Sequence, residues 1–349
     1  LAALTGSIKS YGGVYYSHYG KECFPMSLLN HEPLKHHSIK SSRVIDINHF
    51  AEKARYLNDP PLKLLWVSSR NPLIQDQNFE AWNQLIQKLD LIVTVDLYMT
   101  ETAEQSDLVL PAATHFEEED LCVSYWHHWL SFNQKAIDPY YEAKSDLQIA
   151  RELTKKLNEL SPFFSNFPYE KEPIDWIKEE LTAEIMELYT IKDWSDLLKG
   201  PKQRKEKAST LLAEETKFKL FPFTQNQAHV PMNQEQSDAF PYQFLSIHSS
   251  SSHSMIGLSK KYDTGYIQLS ENIAIERGLE EGCVVEVFNA NASFTSRIKI
   301  NSTLPHNVIL SFQSGKNRIN QFTVLKEKKV NEEKQPFYDR FVDIRKWSV

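Results

Sequence analysis

Cysteine and glycine are the two conspicuous shortages of this 349-residue chain, with 3 and 10 copies. Cys23, Cys122 and Cys283 stand far apart and form no CxxC pair, which argues against a cysteine-ligated cluster or zinc ribbon within these residues. Such sparse, odd-numbered cysteines suit a reducing, cytoplasmic compartment. Neither a GxGxxG fingerprint nor a Walker loop occurs, so ordinary dinucleotide and ATP sites lose their main signature. No apolar run approaches the roughly 18 residues that a bilayer span requires, so no membrane span is expected in this chain. Lys+Arg 39 against Asp+Glu 46 leaves a net charge of −7, which offers nucleic acid and anionic lipid no general attraction.

What is present is ordinary globular material, 41% hydrophobic and 24% charged. The length suggests two domains or three. The chain opens on Leu1 inside an apolar stretch, and the expectation is the later part of a longer polypeptide, on whose preceding segment an export signal is compatible with everything here. Residues 1–58 read as the end of a preceding α/β domain, 59–240 as an α/β domain with a helical extension and linker, and 241–349 as a β-barrel.

In the α/β part, Leu62 to Val67 is an apolar run of strand length, expected to be covered on both faces. Phe79, Trp82, Ile86 and Leu89 follow at helical spacing over about three turns. Leu91 to Val95 is a second buried strand ending at Asp96, and Asp107 to Leu110 a third. Strand–helix–strand with short links predicts a parallel βαβ unit. Further on, Ser145 and Gln148 form a capping-box pair before a helix whose face is Leu147, Ala150, Leu153 and Leu157. A second helix carries Ile174, Ile177, Leu181, Ile185 and Leu188, with Pro173 near its start. Residues 199–240 read as a connection crossed by one strand, Lys217 to Phe221. From Phe240 the texture is short strands and turns: Tyr266 to Leu269, a helix capped by Ser270 and ended by Gly278, Cys283 to Phe288, the alternating Phe294 to Ile300, and Asn307 to Phe312.

The segment Val95 to Asp120 carries the most chemistry. Asp96 sits where a parallel strand ends, the edge at which open α/β sheets bind ligands. Its two oxygens match the paired ring N–H and exocyclic amine of a guanine edge. Thr100, Glu101 and Thr102 follow on the same rim. The spacing equally suits capping, with Asp96 closing a turn and Thr100 starting a helix. The acids Glu117, Glu118, Glu119 and Asp120 are read as a solvated turn rather than a metal site, and the adjacent pairs His36–His37 and His127–His128 lack the i, i+4 spacing of helical zinc ligands.

This segment resembles the molybdopterin oxidoreductase family, the dimethyl sulfoxide reductase superfamily, in which a strand ending in Asp leads to a TETA turn and ADVVLPA. Here TETAEQSDLVLPA (Thr100 to Ala112) has Ser106 where Ala is usual. LTGSIKSYGG (Leu4 to Gly13) is similar to the family's LxGNxGxxGG, PPLKLLWVSSRNPL (Pro60 to Leu73) to its strand and NP loop, and AIDPYYEAKSDLQIARELTKKL (Ala136 to Leu157) to its segment before a helix. ETKFKLFPF (Glu215 to Phe223) is similar to the SGK-F strand, and FPYQFLSIHSSSSHSM (Phe240 to Met255) to the opening strand and His-containing loop of the last domain, with Ser246 to His248 departing from the usual TGR. YIQLSENIAIERGLEEGCVVEV (Tyr266 to Val287) and RINQFT (Arg318 to Thr323) follow in the family's order, with Cys283 replacing Asp.

The resemblance implies a partial parallel-sheet α/β domain followed by a C-terminal double-psi β-barrel that binds a molybdenum bis(molybdopterin guanine dinucleotide) cofactor. It makes Asp96 the guanine ligand, places Ser69, Arg70 and Asn71 near a ribose or pyrophosphate, Ser252, His253 and Ser254 toward phosphate or pterin, and Asn320 toward a pterin. From the residues alone, Asn71 before Pro72 serves turn chemistry equally well, and the serine run a plain loop. The family's metal side-chain ligand and its 4Fe-4S cysteine motif belong to an earlier region that this chain does not represent. The expected partners are therefore that N-terminal half of the same polypeptide and an electron-transfer subunit, and the chain alone is expected to be catalytically incomplete. A rival reading is a cofactor-free scaffold resembling the large iron–sulfur subunit of respiratory complex I, and a weaker one a non-redox nucleotide-binding module.

Overall fold

The computed structural model describes residues 43, 45–124, 127–205, 239–247, 266–312, 319–322 and 340–347. These fall into two compact units, 111–205 on one side and 43–110 with 239–347 on the other. This partition runs through the expected 59–240 domain. The reason lies in the cores: the parallel sheet and the barrel each have an apolar cluster within one unit, while residues from Pro111 onward build a third of their own. The expected strand Lys217 to Phe221 lies outside the described residues.

The sheet region opens with α1 (Phe50–Ala54), followed by β1 (Leu64–Ser68), α2 (Pro72–Gln75), α3 (Phe79–Ile86), β2 (Leu91–Asp96), α4 (Glu101–Glu104) and β3 (Leu108–Pro111). β1 and β2 pair in parallel from Leu64 opposite Leu91 to Ser68 opposite Val95, and β2 lies between β1 and β3. α3 buries Ala81, Trp82 and Leu85 against Ala51, Ala54 and Leu73. It runs two turns rather than the expected three. The expectation of coverage on both faces holds for Ile92 to Val95 of β2 and fails for β1, where Leu64 and Trp66 are exposed; β1 is the edge of the three-strand order.

The second unit contains β4 (Asp120–Cys122), β5 (Trp129–Asn133), α5 (Asp146–Leu160), α6 (Pro173–Glu180), α7 (Ala183–Leu188) and β6 (Lys202–Gln203). β5 pairs antiparallel with both β4 and β6, a small sheet that the sequence reading did not contain. Ser145 caps α5 by accepting the Gln148 N–H at 3.2 Å, but the Gln148 side chain turns to Glu152 and Arg151, so the box is half formed. The buried residues of α5 are Ile149 and Thr154, and Leu153 of the expected face is exposed. The expected second helix is broken at Leu181, because Thr182 starts a new one by accepting the Ile185 N–H. Ile177, Leu181 and Ile185 stay buried across the break.

The last stretch contains β7 (Tyr242–Ile247), β8 (Tyr266–Leu269), α8 (Glu271–Glu276), β9 (Val284–Phe288), β10 (Ser293–Ile300), β11 (Val308–Phe312) and β12 (Phe341–Lys346). The six strands close in the order β10-β8-β11-β7-β12-β9. Exchanging the first three with the last three carries the set of pairings onto itself: β7 is parallel to β11 as β10 is to β8, β12–β7 corresponds to β9–β10, and the antiparallel pairs β8–β11 and β9–β12 map onto themselves. This pseudo-twofold closed barrel is the double-psi architecture. Alternation in β10 buries Ser296 and Ile298 while Thr295, Arg297 and Lys299 face out. Ser270 caps α8 through the Ile273 N–H, and Gly278 ends it at φ +60°, a conformation that costs glycine little. A 3-10 turn, Ile319–Phe322, sends Ile319 and Phe322 into the barrel core, where Phe322 meets Phe244 and Phe294 at 5.5 Å between ring centroids.

Candidate functional site

The carboxyl ends of β1 and β2 lie side by side, so the loops that leave them share one edge. The β1 loop is Ser69–Arg70–Asn71. Ser69 adopts φ +55°, a left-handed conformation uncommon outside glycine, which turns the chain off the strand at once. Pro72 then occupies the first turn of α2, where its missing N–H is harmless.

Asn71 is fully buried. Its backbone N–H donates to Gln75 Oε1 at 2.8 Å, and its Oδ1 accepts the Thr102 hydroxyl at 2.6 Å. Thr102 Oγ1 also accepts the Leu73 N–H at 3.3 Å. Asn71 therefore makes no side-chain cap on α2; it clamps the β1 loop to α4, which follows β2. Arg70 pairs with Asp76 at 2.6 Å. Burial pushes the Asp76 carboxyl above its ordinary range, against the pull of the Arg70 hydrogen bond and charge.

On the β2 side, Asp96 Oδ1 accepts the Tyr98 N–H at 3.1 Å. Thr100 is buried and starts α4 by accepting the Ala103 N–H at 3.2 Å. Both capping roles expected of these residues are thus real. Asp96 has a second property, however. It is half-buried, and burial raises its carboxyl above the ordinary value, opposed by hydrogen bonds from the Tyr98 and Leu97 backbone and the Thr100 side chain. No lysine or arginine pairs with it among the described residues. The adjoining Leu97, Tyr98 and Met99 are exposed, so the rim beside the carboxylate is apolar and open. Ser106, where the resembled family has Ala, joins Thr94 Oγ1 at 2.6 Å and the Thr102 carbonyl at 2.8 Å, fastening α4 back onto β2.

Asn320 arrives from the barrel. Its Nδ2 donates to the Leu73 carbonyl at 2.9 Å and the Asp76 carbonyl at 2.8 Å, and its own carbonyl accepts the Asn78 N–H at 3.2 Å. Both amide donors are committed to backbone, so the role seen is that of a connector, and contact with a pterin is left to its Oδ1 alone. One chain of contacts results: Asp96 to Thr100, α4 to Thr102, Thr102 to Asn71 and Leu73, Leu73 to Asn320. Of the expected residues, Ser69, Arg70, Asn71, Asp96, Thr100, Thr102 and Asn320 come together at this edge. Ser252, His253 and Ser254 lie outside the described residues.

Sequence reasoning missed the loop Gln75–Asn78. Gln75 serves Asn71, Asp76 serves Arg70, and Asn78 caps α3 by accepting the Ala81 N–H at 3.1 Å. Gln77 is 6% exposed, and neither its Oε1 nor its Nε2 has a hydrogen-bond partner. Four consecutive polar residues directly after the first strand's apolar turn were the available signal. The acidic run also reads differently here. Glu117 is buried and accepts from the Thr114 N–H, the Thr114 hydroxyl and the Tyr140 N–H, which hold its carboxyl below the ordinary range; it is an internal clamp, because loop backbone rather than water supplies its donors. Among the described residues no three His, Cys, Asp or Glu side chains are grouped to hold a metal, and no helix is long and apolar enough to cross a membrane.

Comparison with known proteins gives a consistent picture. Residues 1–156 match the family model described as Molybdopterin oxidoreductase. Probable oxidoreductase YyaE of Bacillus subtilis is 31% identical over 277 residues, 74% of this chain and 41% of that protein. Trimethylamine-N-oxide reductase of Vibrio vulnificus is 33% identical over 121 residues, 34% of this chain and 14% of its own length. Among solved structures, acetylene hydratase from Pelobacter acetylenicus shares the fold with a TM-score of 0.55 at 18% identity, over 76% of this chain and 39% of that one. The chain spans less than half the length of each of these proteins.

Proposed function

Because this chain belongs to the molybdopterin oxidoreductase family, we propose that its sheet edge and barrel bind the guanine dinucleotide form of a molybdopterin cofactor within a larger oxidoreductase. When bound, such a cofactor supplies two-electron redox chemistry at its molybdenum. The residues of this chain bind, orient and shield it.

One observation carries the reading: a half-buried carboxylate, Asp96, at the carboxyl edge of a parallel sheet, with no cation to compensate it among the described residues. A carboxylate taken partly out of water without a counter-charge stays under-compensated, its hydrogen bonds from Tyr98, Leu97 and Thr100 offsetting only part of the burial. A guanine edge brings two donors, the ring N–H and the exocyclic amine, in the geometry that a carboxylate accepts. Thr100 and the Leu97 and Tyr98 amides fix the carboxylate's orientation in advance, and the exposed Leu97, Tyr98 and Met99 offer apolar surface to a purine face. The Arg70–Asp76 pair and the strained Ser69 set the path of the neighbouring loop, where Ser69, Arg70 and Asn71 would meet a ribose or pyrophosphate. Ser252, His253 and Ser254 complete the reading from the barrel side through the resemblance.

The test is the guanine dinucleotide content of the full-length polypeptide from molybdenum-replete cells. Asp96→Ala is expected to empty the protein of guanine nucleotide while its Tm stays within a few degrees of the cofactor-free wild type, which lacks the same ligand stabilisation. Wild-type protein purified without guanine dinucleotide would return the chain to the cofactor-free scaffold reading, and an Asp96→Ala variant that keeps it would refute Asp96 as the guanine ligand.

A further inference from the structure

Among the described residues only three side chains hold a buried polar atom without a partner: Arg55 and Trp176 through one nitrogen each, and Gln77 through both ends of its carboxamide. Folded proteins rarely leave such groups idle, and each exception asks for an explanation. Gln77 lies at the functional edge. Its neighbours Asp76 and Asn78 both bond Asn320, and Asp76 holds Arg70. Of the four polar residues Gln75–Asn78, three have occupied side chains and Gln77 alone has none.

A carboxamide presents one acceptor and one donor side by side. Its complement is a lactam edge, a ring N–H next to a carbonyl. Guanine and a pterin both carry that edge, but in the reading above Asp96 takes the guanine ring N–H, and one proton serves one primary acceptor. We propose that Gln77 recognises the lactam edge of the pterin, its Oε1 accepting the ring N–H and its Nε2 donating to the ring carbonyl. This rests on the proposed function. It makes Gln77 a binding residue whose unpaired amide is held ready by the Asn320 tether.

An idle buried amide costs the empty protein stability and strengthens the loaded one. The experiment therefore uses the full-length polypeptide made with and without cofactor, in hosts able and unable to synthesise it. Gln77→Met keeps side-chain length and removes both polar ends. The expected result is a Tm raised by roughly 2 °C in the cofactor-free protein and pterin content, read by fluorescence after oxidative release, reduced about tenfold. An equal loss of Tm in both forms with pterin content unchanged would overturn the proposal, since it would mean that the amide is satisfied by water or by another stretch of the polypeptide. If the Met variant does not accumulate, Gln77→Asn, which withdraws the same amide by one methylene, decides: lowered pterin content supports the assignment and wild-type content refutes it. Wild-type protein devoid of guanine dinucleotide defeats the parent reading instead, so the two failures are distinct.

Discussion

Asn320→Ala removes the amide that joins the barrel's 3-10 turn to the loop after β1. A buried backbone carbonyl, Leu73, and a part-buried one, Asp76, lose donors at 2.9 and 2.8 Å. Leaving a buried acceptor unpaired costs about 1–3 kcal/mol, and each carbonyl keeps a second lone pair, so the lower half of that range applies to each. The sum is about 2–4 kcal/mol. Little apolar burial is lost with it, so the polar term dominates. At about 3 °C per kcal/mol for a unit of this size, Tm falls by roughly 6–12 °C. Urea denaturation of the full chain measures the energy, and amide exchange localises it: protection is expected to drop at Asn78, whose N–H bonds the Asn320 carbonyl. Asn320→Asp is the control for the donor assignment, because it sets carboxylate oxygens against the same carbonyls and destabilises at least as much. An Ala variant within about 0.5 kcal/mol of the wild type, or a neutral Asp variant, would refute the connector role.

Thr102→Val deletes the hydroxyl that donates to Asn71 and accepts from the Leu73 N–H; a loss of about 1–3 kcal/mol in denaturation is expected, largely restored by Thr102→Ser, and a silent Val variant would contradict the clamp. Phe322→Ala empties the ring that packs on Phe244 and Phe294, with an expected cost of about 3–5 kcal/mol, checked by thermal unfolding. Asp96 gives a pH signature. Its folded carboxyl is raised above the ordinary 3.8, so folding favours the protonated form, and stability present below that value is lost as pH rises through the higher folded one. Asp96→Asn abolishes this loss, so the cofactor-free variant is expected to exceed the wild type in stability at neutral pH, the gap closing in acid. A gap independent of pH would show that the carboxyl is not perturbed.

Local signals were legible where a residue acts on its immediate neighbours. Pro173 opening α6, Ser270 and Gly278 bounding α8, and the alternation of Phe294, Ser296, Ile298 and Ile300 in β10 all depend on periods and caps that span a few residues. The break at Thr182 and the burial of Glu117 were not legible, since a capping Thr and an acidic run have the same composition whether they end an element or brace one. β12, β4, β5 and β6 were missed as well; β4 and β6, of three and two residues, are specified by their partner β5 more than by themselves.

The sequence by itself determined the parallel strand–helix–strand unit, most of the barrel strands, the order of motifs and the place of Asp96 at a strand's end, because each is written in residues close together along the chain. Only the tertiary structure decided that Asn320 spends its donors on carbonyls 247 and 244 positions earlier, that Asn71 answers Thr102, and that Gln77 is left idle between them. Hydrogen-bond partners for buried polar groups are assigned by packing in three dimensions, and no local pattern records which distant backbone will come within reach.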